Sequence, residues 1–575
     1  MTRRGSLILI LFLFLFSFCK PTPKQESGVK IRISQDPETL NPVNFGNTFS
    51  LEIVNLIYQS LISTDREQLN FVPLLVEKLP GVEKSDTSSS FHFQLRKEAQ
   101  WPSGQPVTAE DVVFSLKLLR CPLVINQQLS GRYDFIRDIQ MDPLDKKKFT
   151  ILCDPYTPEM DLMTGDFAIL PRHLVDPKNL LQPFSLRDLT LHYDSLGRHA
   201  DIKAFAEWFN SERFSRDKNF LQGSGGYELQ EWKTGQYVQL KKKANWWGDQ
   251  YATEATALAA NPQQITFQII PENATALLAL REQQVDVFPG LPVSVYQQLA
   301  ADKAFTQHYQ LFTPETYDFT YLGINGRLAK FADARTRQAL AHLLDVDKII
   351  QTTQSGFALR TVGPVNPRDK RFYNQSLVPY TWDPRKSEAL LLAAGWEKQG
   401  SGWRKKIKGR WEPLAITLNY KAGNTEFESI ALIFQQAAAK INIPVTIQPV
   451  EGLLLTSNLK AHNFDMFIRY LSGNPFIFNF KPILHTESGA DGGANYTGFG
   501  TPESDQLIEQ INQTEDMKAK AAELKRFQEV LHEESNLIFL YFMKERLAIH
   551  KRFTNLRVSG IKPGYDVSAF TLQAK

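Results

Sequence analysis

Residues 91–96, FHFQLR, alternate apolar and polar positions with the period of a half-buried strand. WPSG follows as a turn, with Pro102 and Gly104 supplying the fixed and the permissive backbone positions. Thr108 with Asp111 three residues on reads as a helix start, and Val112, Val113, Leu116 and Leu119 mark one helical face. The same two periods recur along the chain. Strands are predicted at 30–33, 237–241, 265–270, 285–288, 321–325, 414–420, 445–450, 464–470 and 537–541. Helices are predicted at 49–61, 274–281, 334–344, 383–394, 426–440 and 517–534, the first from Leu51, Val54, Ile57, Tyr58 and Leu61 on one side. Residues 176–222, rich in charge and aromatics, read as short helices and loops. Strands and helices alternate throughout, which makes the class α/β.

Composition narrows the possibilities. At 575 residues, 42% hydrophobic and 22% charged, the chain is ordinary globular material for more than one core. Net charge is +3, and setting aside the two leader arginines Arg3 and Arg4 leaves +1. A near-neutral body gives no reason to expect a nucleic-acid partner.

The amino terminus reads as a secretory leader over 1–18, with Arg3 and Arg4 before a short apolar run from Leu7 to Phe18. That run is too short to span a bilayer, which takes about 20 residues. Cys19 follows, then a polar tether to residue 30. The pattern resembles a lipobox in which Cys19 carries the lipid, although Phe18 and Phe16 depart from the usual residues; ordinary cleavage near the same point is the alternative. Cys121 and Cys153 are the other two cysteines. In an exported protein the pair is expected to form a bridge closing a loop, worth about 3–4 kcal/mol, the alternative being two buried free thiols.

The chain has no G-x-S-x-G, no H-E-x-x-H and no Gly-Lys dipeptide, so it has no P-loop, and its histidines lack metal-ligand spacing. The reading is therefore not an enzyme, with no cofactor and no metal.

Seven segments in order carry a family resemblance: DPETLNP from Asp36, YQSL from Tyr58, FHFQLRKEAQWPSGQPVTAEDVVFSL from Phe91, GSGGYELQEWKTGQYVQLKKKANWWG from Gly223, ALREQQVDVF, ADARTRQALAHLLDVDKII from Ala332 and WDPRKSEALLLAAGW from Trp382. Together they resemble the family-5 solute-binding proteins, the peptide/nickel class serving ABC importers. The resemblance implies a two-lobed periplasmic-binding-protein-like fold (type II, with an extra subdomain) and a hinge. Mapped on this chain, lobe I is 31–70, 222–310 and 546–575, the inserted subdomain 71–221, and lobe II 311–545. It also implies an extracytoplasmic monomer, anchored by lipid only, that binds a peptide or other small solute and docks on an importer permease. A nickel chelate, a glycan or an opine is the alternative solute, and a sensor or chaperone lipoprotein without an importer the alternative role.

In peptide-binding relatives an Asp ten residues after the Phe of an F-D strand pairs with the peptide's amino terminus. Here the strand starts at Phe464 and the position is Asn474, which accepts a hydrogen bond but carries no charge. Either the solute has no free amino terminus or the anchor has moved, with Asp36 and Glu38 as candidates. The competing reading is that Asn474 caps a turn before Pro475. Arg469 and Tyr470 are the remaining candidate ligand contacts.

Overall fold

The structure is a computed structural model that describes residues 28–573, apart from 127–128, 130, 252–255, 401 and 491. The leader and Cys19 lie outside the described residues. Two large sheets organise the chain. The first has seven strands, in the order Tyr309–Phe312, Leu547–His550, Val287–Phe288, Gly28–Ile33, Gln264–Ile269, Tyr237–Lys242, Tyr227–Lys233. Gly28–Ile33 pairs in parallel with Gln264–Ile269, Ile31 opposite Phe267, so strands from the start, middle and end of the chain share one sheet. Val29, Ile31 and Ile33 are fully buried in a core that continues into a four-stranded sheet, order Gly81–Lys84, Ser89–Gln94, Lys148–Cys153, Ile136–Met141.

The second large sheet has six strands, in the order Ala358–Arg360, Leu537–Lys544, Glu315–Ile324, Met466–Ser472, Ile416–Lys421, Val445–Val450. Its two faces follow from the two-residue period of a strand. Leu322, Ile324, Met466, Ile468, Ile538 and Leu540 pack on one side under the helix Thr425–Ala439. Phe319, Tyr321, Phe467, Phe539 and Phe542 pack on the other, against the helices Pro502–Gln513 and Met517–Glu534. Because both faces are covered, these strands read as near-continuous apolar runs.

The sheets are joined by two short crossings. The chain leaves the first sheet at Phe312 and enters the second at Glu315, then leaves the second at Lys544 and returns at Leu547. The crossings bond to each other, Glu545 N donating to Pro314 O at 2.9 Å. Among the described residues no helix is long and apolar enough to cross a membrane.

The glycines at 223–226 are explained by a close approach. A Cβ at Gly225 would lie 2.6 Å from Leu56 O, and one at Gly223 2.0 Å from Ile57 O, so only glycine lets this loop lie across the end of the helix Thr48–Ile57.

The cysteines require a correction. Cys121 and Cys153 are free, buried thiols, not a bridge. Cys153 ends the buried row of the strand Lys148–Cys153 and Cys121 follows the helix Ala109–Leu119, each packed in the core as a small apolar group. Burial pushes each thiol up to about 12, so both are inert in the fold. Alkylation of the denatured, unreduced protein is expected to label both. Mass analysis finding neither labelled would restore the bridge.

Candidate functional site

The helix Thr48–Ile57 builds the site. Asn47 caps it, its Oδ1 accepting from Ser50 N at 3.0 Å. Ile53, Val54 and Ile57 bury one face in the core. The opposite face is polar: Thr48, Glu52 and Asn55 recur at the four- and three-residue steps that place side chains in one stripe, and Gln59 follows beyond the helix end, after the extended Tyr58. All four line a cavity of about 680 Å³. Its other walls are the strand Ile62–Asp65 with Arg66 and Glu67, residues of the carboxy-terminal segment 557–568, and Gly290 and Glu545 beside the crossings.

Charge in this cavity leans negative, six carboxylates against four cations. Tyr565 donates its hydroxyl to Glu52 Oε1 at 2.6 Å, and Arg66 Nη1 donates to the Tyr565 carbonyl at 3.0 Å. Burial pushes the Glu52 carboxyl up to about 7, against the opposing pull of the Tyr565 hydrogen bond and the Arg66 charge. Among the described residues Glu52 has no ion pair, and its Oε2 accepts no hydrogen bond. Gln59 is 6% exposed, and its side-chain oxygen has no partner. Asp166, also on the cavity wall, is by contrast satisfied: it pairs with Arg132 and accepts from Tyr133 Oη at 3.0 Å.

The cavity lies close to the junction of the two large sheets. Leu291 N donates to Arg546 O at 2.9 Å, Arg546 Nε returns to Leu291 O at 2.8 Å, and Glu545 Oε1 accepts from Gly290 N at 3.0 Å. Lys562, on the cavity wall, pairs with Asp318 of the second sheet at 2.6 Å. Farther out, Phe71 meets Phe476 at 5.3 Å between ring centroids, and Lys84 pairs with Glu515 at 2.5 Å.

The residues singled out from sequence fall in three places. Arg469 and Tyr470 line a smaller cavity of about 190 Å³ on the second sheet, with Tyr321, Phe467, Tyr496 and Phe539. The Arg469 guanidinium stands 5.7 Å from the Tyr496 ring centroid and makes no hydrogen bond or ion pair among the described residues. Asn474 is exposed and lines neither cavity; its Oδ1 accepts from Phe476 N at 2.8 Å, which closes the turn around Pro475. Asp36 is occupied by the scaffold: Oδ2 accepts from Gly235 N at 2.8 Å and Trp232 Nε1 at 3.4 Å, and Oδ1 from Glu38 N at 3.1 Å. Glu38 is exposed with φ of 68° and, like Asp36, is absent from the walls of both cavities. The helical stripe carrying Glu52 is what sequence reasoning missed. Its spacing is visible in the chain, hidden by attention to the apolar face of the same helix.

Comparison with known proteins agrees with this architecture. Residues 70–486 match the model of the bacterial extracellular solute-binding proteins, family 5, middle region. The chain is 23% identical over 556 residues to the oligopeptide-binding protein AppA of Bacillus subtilis, covering 96% of this chain and 92% of that one. The structure of B. subtilis AppA in complex with a nonapeptide superposes with a TM-score of 0.70 at 21% identity, covering 95% of this chain and 99% of the other. NikA from Brucella suis in complex with Fe(III)-EDTA superposes with a TM-score of 0.72 at 19% identity, covering 95% of this chain and all of that one.

Proposed function

The chain belongs to the bacterial extracellular solute-binding proteins, family 5, and on that premise we propose that it captures a peptide or peptide-like solute outside the cytoplasm and delivers it to an ABC importer. The observation that carries this reading is the pair of large sheets joined by two short crossings, with the 680 Å³ cavity beside them. That arrangement is a hinge with a compartment at its mouth. Its chemistry is binding, not catalysis.

The proposed lobes are 31–70 with 222–310 and 546–575, carrying the inserted 71–221, and 311–545. Strand pairing supports this division except at its edge: Gly28–Ile33, Gln264–Ile269 and Leu547–His550 share a sheet that holds no strand from 315–544, but that sheet also takes Tyr309–Phe312, so residues 311–312 go with the first lobe. Closure turns one lobe on the other about 313–314 and 545–546. Arg469 and Tyr470 are the proposed contacts from the second lobe, Arg469 as a cation for a solute carboxylate, and Asn474 adds no charge. The proposed anchor is a lipid on Cys19, holding a monomer at the membrane surface for a permease to meet.

The test is mass spectrometry of what is released when the protein, purified from its own host without denaturation, is unfolded. Peptides are the expected result. A nickel chelate, an opine or a glycan as the sole released species would overturn the peptide reading within the same fold.

A further inference from the structure

We propose that Glu52 is the anion that receives an ammonium group of the solute. This rests on the solute-binding reading above and deepens it by naming the ligand chemistry. Four observations converge. The side chain stands on the wall of the 680 Å³ cavity, on a helical stripe with Thr48 and Asn55, and Gln59 beyond the helix end lines the same wall; each of the three offers an oxygen acceptor. Glu52 Oε1 is held by the Tyr565 hydroxyl while Oε2 accepts nothing among the described residues. Gln59 is buried on the same wall with its side-chain oxygen unpartnered. The cavity carries more carboxylates than cations.

Those are the complements of a group with three N–H donors and a positive charge. A buried polar atom without a partner is costly, as the Gln59 side-chain oxygen is, and an ammonium in this cavity brings N–H donors to the acceptors on its wall. Arg66, the cation whose charge acts on Glu52, already donates to the Tyr565 carbonyl. The anion absent at Asn474 is thus supplied from the other lobe, by a helix anchored in the core on its opposite face. An amino terminus and a lysine side chain present the same ammonium, so the experiment separates them.

Isothermal titration on the full mature protein would use three pentapeptides: free penta-alanine, its N-acetyl form, and an N-acetyl form with one central lysine. The free peptide is expected to bind about tenfold to a hundredfold more tightly than the acetylated one, the worth of a charge-assisted hydrogen bond. Binding recovered by the lysine peptide identifies a side-chain ammonium. Glu52→Gln is expected to remove the preference, so that free and acetylated peptides bind alike. Equal binding of free and acetylated peptides by the wild type overturns the proposal while leaving peptide capture standing. Should Glu52→Gln fail to fold, Glu52→Asp keeps the charge but withdraws it by one carbon, and a preference left undiminished in that variant overturns the assignment to Glu52. If no peptide binds the wild type, the peptide reading falls, and putrescine becomes the probe: thermal stabilisation of the wild type that Glu52→Gln lacks supports the ammonium site, and none overturns it.

Discussion

Asp286→Ala is expected to lower the unfolding free energy by about 3–5 kcal/mol, the cost of breaking a buried ion pair by removing one partner. Asp286 is 2% exposed. Arg552 meets it with two parallel bonds, Nε to Oδ1 at 2.7 Å and Nη2 to Oδ2 at 2.6 Å. Oδ2 also accepts Lys30 N at 2.8 Å. The carboxylate therefore ties the first strand to the segment after the last strand of the same sheet, residues 256 and 266 positions away in the chain. Arg552 Nη2 reaches Gly28 O at 3.0 Å as well, so the fork lies across the edge of the Gly28–Ile33 strand. Alanine removes both parallel bonds to the guanidinium and the carboxylate oxygen that takes the Lys30 amide. Urea denaturation followed by tryptophan fluorescence would read the change as a lower midpoint. A loss under about 1 kcal/mol, the range of an exposed pair, would mean that water enters the pair and that it does not hold the lobe together.

Asp286 also shows why much of the fold was legible. It is the second acid of the ALREQQVDVF segment, and in the structure it joins two strands' backbone and the Arg552 guanidinium. The segment from Phe91 behaves likewise. Asp111 is 5% exposed and accepts from Thr108 N at 2.9 Å, Arg172 N at 3.0 Å and Trp101 Nε1 at 3.4 Å, so one carboxylate joins turn, helix start and a second helix. The Phe91 segment carries a local signal because Thr108 and Trp101 lie within ten residues of Asp111, whereas the partners of Asp286 are distant in the chain and the sequence shows only the acid. Elements without such signals were harder to see. The strand Tyr309–Phe312 is four residues long, and the small sheet of Glu397–Gln399, Gly402–Ile407 and Arg410–Pro413 packs mainly through Trp403.

The site was less legible for a different reason. Glu52 and Tyr565 are 513 positions apart, and only the fold brings them to 2.6 Å. A polar stripe on an amphipathic helix ordinarily faces bulk water; that this one faces a cavity depends on the carboxy-terminal segment returning over it. Asp36 erred in the opposite direction, an acid in a suggestive loop whose oxygens are consumed by neighbouring N–H groups.

Affinity for a solute with a free amino group should rise with pH from about 5 to about 7, by up to roughly tenfold per unit, and flatten above. Burial lifts the Glu52 carboxyl from 4.5 to about 7, with Tyr565 and Arg66 restraining the rise. Below that value the side chain is neutral and must release a proton before it can pair with an ammonium. Above about pH 8 the solute's own α-amino group loses its charge, so the profile should turn down again, while an acetylated peptide stays flat throughout. The sign for folding is the reverse. A carboxyl raised in the native state holds a proton that the unfolded chain has released, so its contribution to stability is present below about 4.5 and is lost as pH rises through about 7. Glu52→Gln should therefore gain on the wild type in melting temperature as pH rises across that window, and bound solute should close the gap by compensating the anion. Titrations and melts from about pH 5 to about pH 8.5 would measure both. A free-amine peptide whose affinity ignores pH below 7, together with parallel melting curves for wild type and variant, would mean that Glu52 is ionised throughout and that its burial sets no threshold for binding.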